Sequence, residues 1–404
     1  LRVRLERLVR HATASPRGVQ TVEEIVGGTR VRNSRGEFLL VESSLSLDTF
    51  HGDVNLSRLR SAEKASLGIL SGKEEQDDLS GAVFLDTETT GLSGGSGTAA
   101  FLTGTGAVVD DRFVVRQYFM GDYHEEPALF ERLAADLEGF RTLVTFNGKI
   151  FDLPLLESRF RLNGRAFPLT DAPHLDLLYP ARRLWKARLD SCRLQSLEGP
   201  VLGFHRVGDI RGEEIPRIYF DYLRSRDGRG VARILEHNRL DIISLAALTA
   251  WACSWVRGGL AEDPRDLFSL ARVFERAGLK SRSLEEYERV LGRDPVHVPS
   301  LLRLGREARR GGDEHGARTH FRKAAEAGDL LALRQLAIIA EHRDRAFAEA
   351  LALTERGLRL ASERGPRRLR LEFERRRRRL LGKVASGGGG SREGRPEASP
   401  EDAS

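Results

Sequence analysis

An apolar run ending in two spaced carboxylates constrains this chain more than any other stretch: Ala82-Val83-Phe84-Leu85, then Asp86-Thr87-Glu88. Four consecutive apolar residues read as a buried strand. Side chains alternate along a strand, so Asp86 and Glu88 point to the same side at its end. A lone D-x-E triplet arises about once by chance in a chain of this length. Context raises this one, because Thr-Thr-Gly-Leu and a Gly-rich turn over Ser93–Gly97 follow it. That turn is no phosphate-cradling loop, since no Gly-Lys-Ser/Thr follows and no helix opens there.

Two later motifs carry matching chemistry. In NGKIFD (147–152), Asn147 follows the strand Leu143–Phe146 and Asp152 enters from the first turn of a helix. An Asp there also complements the helix dipole, which is its simpler reading. Lys149 suits a phosphate contact or plain solvation. In HNRLD (237–241), His237 and Asp241 lie four apart on a predicted helix and share a face. Histidine can accept a proton from an attacking water near neutral pH, or it can merely pack locally. Asp86, Glu88, Asp152 and Asp241 together would make an all-oxygen site for Mg²⁺ or Mn²⁺. Two such ions, about 3.5–4 Å apart, serve phosphodiester hydrolysis. His174 and Asp176 in HLDLL alternate off one strand face but read equally well as a structural pair. Arg182, Arg183, Lys186 and Arg188 around Trp185 suit a single-stranded backbone with a stacked base, or an ordinary solvated helix.

The 404 residues are enough for two or three domains. Residues 1–80 read as an N-terminal extension with a short amphipathic helix, candidate strands at Val31–Arg32 and Glu37–Glu42, and a charged linker at Lys73–Asp78. From 81 to 257 the pattern is α/β. Strands at 82–88, 99–109 and 112–119 form a meander, since their connections are too short for crossover helices. Helix 127–137, strand 142–146, helix 150–162 and strand 174–177 follow, then helices near 193–202, 216–224 and 231–256. Strands first, then alternating elements, with an acid on the first strand, give a ribonuclease H-like mixed sheet with flanking helices.

Residues 264–383 read as all-helical with a 34-residue period. Leu267, Leu270, Ala271 and Tyr287 recur as Leu301, Leu304, Gly305 and Phe321. That spacing resembles tetratricopeptide repeats and would offer a surface to a protein partner. The arginine run 375–379 reads as a basic capping helix or a nucleic-acid contact, and residues 386–404 as a disordered tail.

Two cysteines argue against a disulfide framework or a zinc site and fit a reducing cytoplasm. The net charge of +6 permits an acidic partner such as nucleic acid. No segment reads as a membrane span; Leu245–Val256 reads as a core helix. The N-terminal LRVRLERLVRH lacks the apolar run of a signal peptide and an initiator Met, so the chain is read as trimmed or begun at an alternative start.

With these motifs in view, the sequence resembles the DEDD 3′–5′ exonuclease superfamily, and within it the YprB-type ribonuclease H-like domain family. The resemblance covers roughly Gly81–Ala250, more loosely Gly36–Leu40 with His51-Gly52, and the tetratricopeptide-like segment is similar to what accompanies such domains. It implies Asp86, Glu88, Asp152 and Asp241 as ligands of two divalent metals, with Asp86 bridging both. His237 is read as the base from its own chemistry and its place beside Asp241. Asn147, together with Thr89 and Lys149, would lie against the substrate. NGKIFD is similar to the second exonuclease motif of family B polymerase proofreading domains. The third motif departs from the usual subclasses: a tyrosine stands four residues before the last Asp in one, a histidine five before it in the other. Here His237 takes the tyrosine-type spacing. The expected activity is 3′–5′ exonucleolytic hydrolysis of single-stranded nucleic-acid ends. An endonuclease, or a binding protein using its repeats as a scaffold, is the alternative.

Overall fold

A computed structural model describes residues 18–72, 79–91 and 97–386. The expected N-terminal amphipathic helix, the 73–78 linker, most of the Gly-rich turn and nearly all of the expected tail lie outside the described residues. The chain divides into two units. One holds residues up to Glu262 together with Arg272–Leu279, and the other holds Asp263–Ala271 and the residues from Lys280 on.

In the first unit the strands are β1 (Thr29–Asn33), β2 (Gly36–Ser46), β3 (Phe50–His51), β4 (Val54–Asn55), β5 (Ala82–Thr89), β6 (Ala100–Val109), β7 (Arg112–Phe119), β8 (Thr142–Thr145) and β9 (His174–Asp176). Its helices are α1 (Val22–Val26), α2 (Lys64–Ser71), α3 (Glu126–Leu137), α4 (Asp152–Leu162), α5 (Leu178–Trp185), α6 (Leu194–Leu197), α7 (Ile215–Ser225) and α8 (Arg229–Arg257). Seven strands form one mixed sheet in the order β1-β2-β7-β6-β5-β8-β9. The expected meander is present: β5, β6 and β7 pair antiparallel, whereas β8 joins β5 in parallel and β9 joins β8 in parallel. The N-terminal strands do not stand apart. β2 runs from Leu39 to Ser46 against β7, so the extension completes the same sheet. The helix expected over 193–202 is shorter, with a wide π-type turn taking over at Glu198–Leu202.

β5 is central because both its faces are covered. Val83 and Leu85 pack into a core with Leu129, Phe130 and Leu133 of α3 and Phe160 of α4. Phe84 meets Phe113 edge-on, with ring centroids 5.7 Å apart. α8 is long and apolar enough to cross a membrane, yet most of it is buried, as the core-helix reading expects. Its close approach to β6 needs two glycines. A β-carbon at Gly104 would come within 2.2 Å of Asn238 Oδ1, and one at Gly106 within 2.5 Å of Ile242 Cγ2. Since Gly104 lies opposite Asp86 in the sheet register, this contact brings α8 to the acidic end of β5.

Beyond α8 the chain is a succession of helices, running from α9 (Pro264–Arg276) and α10 (Lys280–Arg293) through α11 (Val298–Arg310), α12 (Glu314–Glu326), α13 (Leu330–His342) and α14 (Phe347–Arg364) to α15 (Arg367–Ala385). The 34-residue period appears as paired helices with a small residue under an aromatic. A β-carbon on Gly305 would lie 2.7 Å from the Phe321 ring, and Ala271, 34 residues earlier, packs with Tyr287; the like contact of Gly357 with Phe373, at 2.5 Å, falls outside that period. The basic run on α15 is partly spent on structure. Arg376, Arg379 and Lys383 all reach Glu341, at 2.6, 2.7 and 3.0 Å.

Candidate metal-dependent nuclease site

Strand alternation brings Asp86 and Glu88 to the same side of β5, as the sequence predicts. Asn238, next to His237 on α8, donates from Nδ2 to Asp86 Oδ2 at 2.9 Å. Gln117 on β7 steadies that amide, donating from Nε2 to Asn238 Oδ1 at 3.0 Å and to the Leu235 carbonyl at 2.7 Å. A relay from the sheet therefore fixes the rotamer of the Asp86 carboxylate.

Asp152 is the first residue of α4. The backbone N–H and hydroxyl of Thr87 donate to its Oδ1, at 3.1 and 2.5 Å. The turn before α4 is built around Asp176 at the end of β9. Its carboxylate accepts from the backbone N–H groups of Asn147 (2.7 Å), Lys149 (3.1 Å) and Leu178 (3.2 Å). Asn147 takes a left-handed φ of 68°, which Asn tolerates better than most residues. Gly148 has no room for a β-carbon beside Thr145, whose Oγ1 would lie 2.5 Å away. Asp176 is thus the structural half of its motif, and His174 contacts Thr145 Oγ1 at 2.8 Å.

On α8, His237 and Asp241 share a face. His237 Nε2 lies 3.6 Å from Asp241 Oδ2 and 4.0 Å from Glu88 Oε1. One ligand atom each from Glu88, His237 and Asp241 falls within 4.8 Å of the others. The segment between α6 and α7 closes over this group. Asp209 accepts from His237 Nδ1 at 2.8 Å, and Arg206 bonds Glu198, Asp209 and Asp241 at once. Behind it, Glu198 accepts from Ser244 Oγ at 2.5 Å, and Ser244 contacts His51 Nε2 at 2.8 Å.

The electrostatics ask for a cation. Burial first, then the charges of Asp241, Glu88 and Asp152, push the Asp86 carboxyl well above the usual carboxylate range. Glu88 is raised well above it too, by burial and then by Asp241, Asp152 and Asp209. Burial likewise lifts Asp152 to about 6, against the hydrogen bonds from Thr87. Clustered carboxylates held this close repel one another unless a positive charge is shared among them. The donor set is all oxygen apart from one imidazole, which fits Mg²⁺ or Mn²⁺.

Residues 83–253 match the model of the ribonuclease H superfamily, and they run from the start of β5 into α8. These residues form a ribonuclease H superfamily domain. The chain is also 29% identical over 287 residues to an uncharacterized Bacillus subtilis protein, YprB, covering 68% of each chain. In this domain the acids of β5 and α8 occupy the two ends of the matched region.

The remaining expected substrate contacts are placed as follows. Thr89 ends β5 and donates to the Gly91 carbonyl at 2.8 Å. Lys149 is exposed, with Nζ 5.9 Å from the centre of the Tyr179 ring. Trp185 corrects the stacking idea: it is fully buried, edge-on to Trp255 with centroids 5.5 Å apart, and no base can reach it. Sequence reasoning missed Asp209, Arg206, Glu198 and Asn238. Asn238 lay within reach, beside His237 in its motif. Nothing in VGDIRGEE marks Asp209, because a loop acid carries no periodicity.

Proposed function

We propose that this protein is a cytoplasmic, divalent-metal-dependent 3′–5′ exonuclease acting on single-stranded nucleic-acid ends. The observation that carries the reading is the clustering of Asp86, Glu88, Asp152 and Asp241, from three separate elements, with Glu88 and Asp241 on the Nε2 side of His237. Two divalent cations held by those carboxylates would neutralise charge developing on the attacking and leaving oxygens. Asp86, fixed by Asn238, would hold them together with Glu88, Asp152 and Asp241. His237 Nε2 takes a proton from the attacking water, a role worth about 100- to 10,000-fold in rate. Attack on phosphorus breaks its bond to the 3′-oxygen and releases a nucleoside 5′-monophosphate. Thr89, Asn147 and Lys149 line the approach of the terminal nucleotides.

The test uses 5′-labelled single-stranded DNA and RNA with Mn²⁺, with chelator and with a blocked 3′ end. A metal-dependent ladder that stops at the block is expected. Cutting that ignores the block makes this an endonuclease, and retention without cutting makes it a binding protein whose repeats act as a scaffold.

A further inference from the structure

The 203–214 segment supplies a group that the three acid motifs do not. We propose that Asp209 is a positioning residue that fixes the ring and tautomer of His237, so that Nε2, not Nδ1, faces the catalytic acids. The inference rests on the nuclease reading for its consequence in catalysis, but the positioning itself stands on geometry alone.

Asp209 is an acceptor whose every contact comes from a donor. Its Oδ1 accepts from the Ile210 backbone N–H at 2.8 Å, and its Oδ2 from Arg206 Nη1 at 3.0 Å and Gln195 Nε2 at 3.4 Å. Both oxygens lie against His237 Nδ1, at 2.8 and 2.9 Å. A carboxylate has no proton to offer, so Nδ1 must carry the hydrogen. Burial opposes charge on Asp209, yet the His237 and Arg206 contacts hold its carboxyl below the usual range, which keeps it an acceptor. The opposite ring nitrogen then points at Asp241 and Glu88 from 3.6 and 4.0 Å, beyond hydrogen-bond length. Neither acid therefore holds Nε2 in a hydrogen bond. His237 is itself buried and cannot turn freely, and Arg206 anchors Asp209 through Glu198, whose side chain is also buried. An orienting acid behind a base sets the tautomer and ring plane in the same way in other sites.

A histidine four residues before the last acid stands on the same helical face as that acid. It needs a second tether from off the helix to keep Nε2 aimed outward, and Asp209 supplies it.

The experiment uses the full chain labelled with ¹⁵N-histidine, free of metal, with His237→Gln identifying the signal. Wild type should show a downfield, slowly exchanging Nδ1–H for His237, and Asp209→Ala should lose it. Asp209→Leu, which offers no acceptor at similar size, should lose it as well; it replaces the alanine variant if that one does not fold. In the cleavage assay both variants should lose roughly 10- to 100-fold in kcat with KM within a few-fold. A His237 ring protonated only on Nε2, or an Nδ1–H signal that survives both substitutions, overturns the inference. A wild type that shows the signal but cuts nothing with any divalent metal rejects the nuclease reading and leaves the positioning role standing.

Discussion

Asn238 occupies the space that a side chain at Gly104 would fill: an added β-carbon there would sit 2.2 Å from its Oδ1. The absence of one side chain on β6 is what lets the Asn238 amide reach Asp86. A helix and a strand far apart in sequence are thereby locked at the acidic end of β5.

Gly104→Ala should therefore damage both fold and site. Overpacking at a tight helix–sheet contact costs about 1–3 kcal/mol. Thermal melting should show the loss, and metal-dependent cleavage should fall by more than the unfolded fraction accounts for. A variant with unaltered melting and cleavage would show that α8 does not sit this close.

Asn238→Ala leaves the backbone contact of Gln117 to Leu235 in place but frees the Asp86 carboxylate. The expected cost is about 1 kcal/mol or so of stability and roughly 10- to 100-fold in metal affinity or activity. Calorimetric titration with Mn²⁺ separates the two, and equal affinities would remove Asn238 from the site.

Asp152 gives a pH signature. Its carboxyl is raised from 3.8 to about 6, so it binds its proton more tightly folded than unfolded. Its contribution favours the folded state fully below 3.8 and is lost as pH rises through 6. Metal-free Asp152→Asn should accordingly melt higher than wild type at pH ~7.5, with the difference shrinking toward pH ~5. Each kcal/mol corresponds to about 2–4 °C. Adding Mg²⁺ should reverse the order, by stabilising wild type more. A difference independent of both pH and metal would contradict the clustered-acid account.

Breaking the buried ion pair beneath the site should cost stability. Arg206 and Glu198 are bidentate, at 2.8 and 2.5 Å, with side-chain exposures of 7% and 4%. Glu198→Ala leaves Arg206 with Asp209 and Asp241 but removes its bidentate partner and the acceptor of Ser244, at a cost of about 1–3 kcal/mol, whereas Glu198→Gln keeps the shape and part of the bonding. Chemical denaturation of the two variants should rank them in that order. If the alanine variant is as stable as wild type, the Glu198–Arg206 pair is not structural.

Much of this was legible from local pattern. The apolar run before Asp86, the strand–turn–helix around Asn147 and the four-residue spacing of His237 and Asp241 each rest on a period that the sequence displays. The 34-residue recurrence of Ala271/Tyr287 in Gly305/Phe321 likewise announces one helix crossing another. What pairing decides was harder to read. That β2 would lie along β7 depends on partners some seventy residues away. Trp185 looked surface-bound among basic neighbours, yet tertiary packing against Trp255 buries it. Asp209 sits in an aperiodic loop, and only the folded chain brings it to His237. Asp176 resembled a site acid but is consumed by three backbone N–H groups of the neighbouring turn and helix.

The central claim is that Asp86, Glu88, Asp152 and Asp241 share divalent cations. Calorimetric titration of wild type and Asp86→Asn with Mn²⁺, on protein verified as folded, tests it most directly. Saturable binding by wild type, weakened at least tenfold in the variant, is the predicted result. Equal binding by both proteins, or none by wild type, would contradict it.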